Sequence, residues 1–171
     1  MPHFTRNSSQ TETPLLKTHI TGVLAHGRGA WAFMWPDRFV QGPNVTIQVL
    51  HTVLCELSQS GGLPPTLYVQ LDNPTSENKN KFVMTYLAFL VHHRVFEKIR
   101  LSFLPVGHTH ENIDQMFSRF AAKLRLNDAV TYDDMIALIT ASFSPTPVVS
   151  ELKKVMKHNT NTLRHNTHTH T

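Results

Sequence analysis

One cysteine, Cys55, is all the chain has, which excludes an internal disulfide framework and any zinc site built from several thiolates. A reducing compartment is the default that follows. No apolar run approaches the roughly 18 residues of a spanning helix, and the first twenty residues lack the charged-then-apolar pattern of a secretory signal. Neither membrane insertion nor secretion is expected. The seven glycines form no Gly-rich phosphate loop and no nucleophile elbow, and no internal repeat is visible. Acids are absent after Glu151, where Lys153, Lys154, Lys157 and Arg164 supply the whole net charge of +4. Residues 1–152 carry twelve basic and twelve acidic groups, so the basic balance belongs to the tail and is no sign of a nucleic-acid-binding body.

What the chain does have is 171 residues, 40% of them hydrophobic, enough for one packed domain and too few for two of ordinary size. The segment from His158 to Thr171 is a run of Asn, Thr and His that cannot bury apolar surface. Its four histidines, His158, His165, His168 and His170, read as solvated residues, with adventitious metal binding as the alternative. The organisation expected is an irregular lead-in over 1–14, a domain over 15–145 and a disordered polar tail over 146–171.

Within the domain, β-branched residues from Leu16 to Leu24, the Gly27-Arg28-Gly29 turn and an aromatic run from Ala30 to Trp35 predict a β-hairpin. Asn44 is placed to cap a helix whose Val45, Val49, Val53 and Leu57 recur every four residues until Gly61-Gly62. The strand Thr66–Leu71, a helix over Lys79–Phe96 and the strand Ile99–Pro105 predict a right-handed βαβ unit whose parallel strands are central in a sheet. Ile113, Met116, Phe117, Phe120, Ala121 and Leu124 line one side of a helix over Asn112–Leu124, and Thr131 with Asp134 three residues on opens a last helix before Pro145. The expected class is α/β, in the order β-β-α-β-α-β-α-α.

Ligands of open parallel sheets bind outside the carboxyl ends of the strands. Two polar clusters fall there: Asp72-Asn73 with Glu77, Asn78 and Asn80, and Gly107-His108-Thr109-His110-Glu111 running into Asp114. Carboxylates converging at that edge suit a hard cation such as Mg²⁺ or Mn²⁺. The blander reading makes Asp72-Asn73-Pro74 a strand stop and His108 to Asn112 a capped helix entry. A zinc site of His108, His110 and Asp114 is a further alternative. Cys55, between Leu54 and Leu57, reads as a core thiol, and His92-His93 as surface residues or partners of a helix C-terminus.

The phrases Leu67-Tyr68-Val69-Gln70-Leu71-Asp72-Asn73, Glu77-Asn78-Lys79-Asn80 and Phe103 to Ser118, with Thr18 to Val23 and Leu63 to Tyr68, resemble a transposon-derived, largely uncharacterised family. That family is the ribonuclease H-like, integrase/transposase type, and the resemblance covers roughly residues 2–140. It implies a mixed sheet of an antiparallel hairpin and a parallel βαβ unit, flanked by helices, with the first central strand missing from this sequence. It also implies metal-dependent cleavage and transfer of DNA strands by three acids holding two divalent ions. Asp72 matches the second acid, and Asp114, or alternatively Glu111, the third; Asn73, His108 and His110 support them. The first acid is absent, since Met1-Pro2-His3-Phe4 matches the segment that follows it, and the family's Asp after His-Thr-His-Glu is Asn112 here. The expectation is therefore a truncated, inactive transposase-like fragment, with Mg²⁺ or Mn²⁺ bound if the site is intact and no ion otherwise. DNA is the implied partner; Lys79, Lys81, Arg119 and Lys123, with Arg125 on the same helix as the last two, are the candidates for phosphate contact, and a solvated face is the alternative reading of them. No small-molecule substrate is expected, and the implied location is intracellular, in the nucleus. The alternative is a non-catalytic DNA- or protein-binding scaffold. The oligomeric state is not readable from the sequence.

Overall fold

Along Gly29–Pro36 the side chains alternate between Trp31, Phe33 and Trp35 on one face and Ala30, Ala32 and Met34 on the other, and every one of the six is buried. A strand so covered must lie between two layers, and the computed structural model, which describes residues 17–40, 42–71, 81–103 and 111–155, builds both. Strand β1 (Thr18–Ala25) pairs antiparallel with β2 (Gly29–Pro36) in the register Thr18↔Pro36 to Ala25↔Gly29, so the expected hairpin is present. Helix α1 (Pro43–Gln59) packs Val45, Val49 and Val53 on the large-residue face. The small-residue face receives α3 (Glu111–Leu126) and α4 (Tyr132–Thr140), through Met116, Phe120 and Ile139. Gly22, opposite Ala32, belongs to that same small face; a Cβ there would stand 2.4 Å from Met116 Cε and 2.8 Å from Phe117 Cζ. Close approach of α3 to the sheet is thus set by the absence of side-chain volume at Gly22, Ala30 and Ala32.

Another side of α1 faces the βαβ unit formed by β3 (Thr66–Leu71), α2 (Lys81–His92) and β4 (Lys98–Phe103). Ile47 and Leu54 of α1 share a core with Val83, Leu87, Leu90 and Phe96, against which Leu67, Leu71, Ile99 and Leu101 pack. The two strands are parallel, as expected, in the register Thr66↔Lys98 to Leu71↔Phe103. Their expected central position is not what is found. Among the described residues β3 and β4 pair only with each other, and their alternate residues Tyr68, Gln70, Lys98, Arg100 and Ser102 are exposed. A parallel sheet normally has both faces covered; here α2 covers one, and the sequence hid this because Leu67, Val69 and Leu71 alternate with residues that pass for strand formers on either face.

Three further differences have local causes. Helix α1 starts at Pro43, after Gly42, with no side-chain cap from Asn44: proline presets the helical φ and forfeits no hydrogen bond at that position. The expected disordered tail over 146–171 begins too early, because Val148–Glu151 forms β5, parallel to β2 in the register Trp31↔Val148 to Met34↔Glu151. Leu152 donates its N–H to Met34 O at 2.8 Å and is buried against Trp31, Phe33 and Trp35. The three-stranded sheet therefore has the order β1-β2-β5, and β2 is its centre. Cys55 is exposed and not a core thiol, since the buried stripe of α1 runs through Val53 and Leu54 and leaves position 55 outside.

The expected capping box is present: Thr131 Oγ1 accepts from the Asp134 N–H at 3.1 Å, and the Asp134 carboxylate accepts from the N–H groups of Thr131 and Val130. Among the described residues the architecture is mixed α/β with four helices. No helix among the described residues is long and apolar enough to cross a membrane.

Candidate functional site

Register decides where the polar clusters start. Leu71 and Phe103 are partners at the carboxyl ends of β3 and β4, so the chain leaves both strands at the same edge. Asp72 is the next residue after Leu71 in the sequence. Asp72, Asn73, Lys79, His108 and His110 themselves lie outside the described residues, and Glu111 is described only by its place at the start of α3. Asp114 is the one expected acid whose side chain is described. It is half-buried on α3, one turn before Phe117, whose ring lies against Gly22 in the middle of β1. The described residues thus bring Asp114 to the three-stranded sheet and do not show it beside Asp72. Among them no three His, Cys, Asp or Glu side chains come together as a metal site requires.

The expected cations separate in the same way. Lys81, exposed at the start of α2, holds Nζ 5.4 Å from the centroid of the Phe82 ring. Arg119 is exposed and Lys123 half-buried on α3, where the Lys123 carbonyl accepts from Asn127 Nδ2 at 2.8 Å. The ion pairs found among the described residues join Asp37 to Lys17 at 3.0 Å and to His19 at 2.7 Å, so Arg119, Lys81 and Lys123 carry uncompensated charge there. Those same two partners, the His19 hydrogen bond first, hold the Asp37 carboxyl below its ordinary value.

Sequence reasoning missed where Arg119 leads. With Gln115, Ser142, Phe143 and Ser144 it lines a recess of about 140 Å³. Gln115, Phe143 and Ser144 also line a larger depression of about 550 Å³, together with Leu24 to Gly29 around the β1–β2 turn, Asn112 of α3 and Pro145. Arg28, at the tip of that turn, donates through Nη2 to the carbonyls of Leu57 (3.3 Å) and Gly62 (3.1 Å). The sole local signal in the sequence was an arginine between two turn glycines. A second cluster the sequence did not announce joins Cys55 Sγ to His51 Nε2 at 3.7 Å and His51 Nδ1 to the Tyr86 hydroxyl at 3.2 Å. Burial, and next the neighbouring Cys55, push the Tyr86 phenol up to about 12.

A family model described as a domain of unknown function (DUF7869) matches residues 8–171. The chain belongs to the DUF7869 family. No curated protein and no solved structure matches it. The DUF7869 match runs through both polar clusters, the β1–β2 turn and β5, so the cationic depression and the carboxyl edge of β3–β4 lie in one family domain.

Proposed function

We propose that this DUF7869 domain is related to metal-dependent DNA strand-cleaving and strand-transferring domains of the ribonuclease H-like type, and that it is inactive as the sequence stands. The observation that carries the reading is the in-register parallel pairing of β3 and β4, which starts the segments containing Asp72 and His108–Glu111 at one edge. The α1, α2 and α3 helices flanking the two sheets are consistent with it. In this reading Asp72 and Asp114, or Glu111 in place of Asp114, would hold Mg²⁺ or Mn²⁺, with Asn73, His108 and His110 beside them. A bound ion would supply Lewis-acid stabilisation of a phosphodiester. The acids in this sequence offer two matches to a three-acid set, and two carboxylates hold a divalent ion less tightly than three. DNA is the partner of such a domain and the nucleus its place of work.

Titration calorimetry of the whole chain with Mn²⁺, alongside Asp72→Ala and Asp114→Ala and with circular dichroism on each sample, tests the metal. The expected result is weak binding that either substitution removes. A folded protein that takes up no Mn²⁺ would overturn the metal-site reading. Nicking of supercoiled plasmid in Mn²⁺ that Asp72→Asn abolishes would overturn the claim of inactivity.

A further inference from the structure

The depression between the β1–β2 turn, the first turns of α3 and residues 142–145 starts beside Glu111 and Asp114 on α3, and the charged side chains that line it among the described residues are cationic. Its lining residues include Arg28, Arg119 and His26, the amides of Asn112 and Gln115, and the hydroxyls of Ser142 and Ser144; among the described residues none is a carboxylate. Neither arginine is paired with an acid among the described residues. Arg28 is instead tethered through Nη2 to two neutral carbonyls, which fixes its guanidinium while leaving the full positive charge and its remaining N–H donors available. Asn112, Gln115 and Arg119 recur at three- and four-residue spacing, so they stand along one flank of α3 and form a wall of donors. Leu24, Ala25, Phe143 and Pro145 supply an apolar lining between the cations.

We propose that this depression binds the phosphates of a single-stranded nucleic acid. The tethered Arg28 in the larger recess, the exposed Arg119 in the smaller one, amide and hydroxyl donors in both and a half-buried phenylalanine ring shared by the two suit successive phosphodiesters with a base against the ring. A lone small anion would use one cation and leave the second idle. The choice of nucleic acid rests on the DNA-binding reading above, but the site needs neither Asp72, Asp114 nor a metal.

The test is fluorescence anisotropy of a labelled 20-nucleotide DNA strand with the whole chain, in EDTA and at 50 mM salt. Asn112→Asp with Gln115→Glu changes two exposed side chains to acids of the same shape, so folding is preserved while the wall turns negative. Affinity is expected to fall at least tenfold. Arg119→Gln is expected to lower the slope of log K against log salt by about 0.7, the value for one phosphate contact on a single strand. Equal affinity in the wild type and the double variant overturns the proposal, as does a folded chain that leaves the strand unbound. Inorganic phosphate that binds the wild type more weakly in the double variant, with the DNA strand failing to compete, assigns the depression to a free oxyanion and overturns the nucleic-acid site. Because EDTA removes divalent ions, a failure of the Mn²⁺ titration and a failure here are separate results.

Discussion

Strands β2 and β3 are each paired in parallel and each served by helices, yet they are embedded to very different degrees. Phe33 in β2 is fully buried between Trp31 and Trp35, with α1 on its side of the sheet and α3 and α4 on the other. Tyr68 in β3 is 70% exposed, its ring 5.6 Å from the Arg100 guanidinium on the neighbouring strand. The free energy of the fold is therefore concentrated around β2, while β3 and β4 present a polar face and a carboxyl edge. A two-stranded sheet is marginal by itself; this one depends on the Ile47 and Leu54 side of α1 and on α2.

The sharpest way to break that contrast is to truncate one residue on each strand. Phe33→Ala is expected to cost about 3–5 kcal/mol, against a total of about 5–15 for a domain, so urea unfolding should shift grossly or the protein should fail to fold. Tyr68→Ala is expected to stay within about 0.5 kcal/mol, as surface changes do. Equal costs would show that β3 is as deeply embedded as β2. Next in size, Gly22→Ala places a methyl group against Met116 and Phe117, and overpacking of this kind costs about 1–3 kcal/mol. Met116 is flexible and its methyl end can yield, so Gly22→Ala combined with Met116→Ala should be less than additive in the same unfolding assay. Strict additivity would mean that α3 sits farther from β1 than the geometry places it.

Smaller effects belong to the periphery of the β2 body. Thr131→Ala removes the N-cap of α4 and should cost about 1 kcal/mol by denaturant unfolding. Its Asp134 partner gives a dependence on pH. The hydrogen bonds from the Thr131 side chain, then the backbone N–H groups, hold the Asp134 carboxyl below its ordinary value of 3.8. A carboxyl lowered in the folded state contributes stability above that ordinary value, and the contribution is lost as pH falls through the folded value beneath it. Wild type should therefore lose its advantage over Asp134→Asn on going from pH 5 to below 3.8, read as a converging thermal midpoint. A gap that stays constant over that interval would show that the capping carboxylate is not depressed.

Elements with a long period were legible in the sequence: the Val45-Val49-Val53 stripe, the β-branched hairpin, the βαβ unit, the α3 stripe and the Thr131/Asp134 box all fall where the structure has them. β5 was not, because Val148 and Val149 amount to half a strand and their burial depends on β2, which is distant along the chain. Nor was the open face of β3–β4, since alternation shows which residues differ and not how many layers cover them. That β3 and β4 end at one edge was legible from strand order. The cationic depression was not: Arg28, Asn112, Arg119 and Ser144 come from three separated stretches, and only folding of α3 over Gly22 brings them to one place.

The pairing of β5 with β2 also sets an order of events in time. Residues of β2 are made well before β5, so the main-chain groups along the edge facing β5 lack their strand partner, and Trp31 and Trp35 lack the cover of Leu152, until almost all of the described chain has been made. Contacts of such sequence separation close late and slowly. A growing chain must therefore hold one edge of its central strand open while α1 to α4 are synthesised, which makes the last strand the step that closes that edge to aggregation.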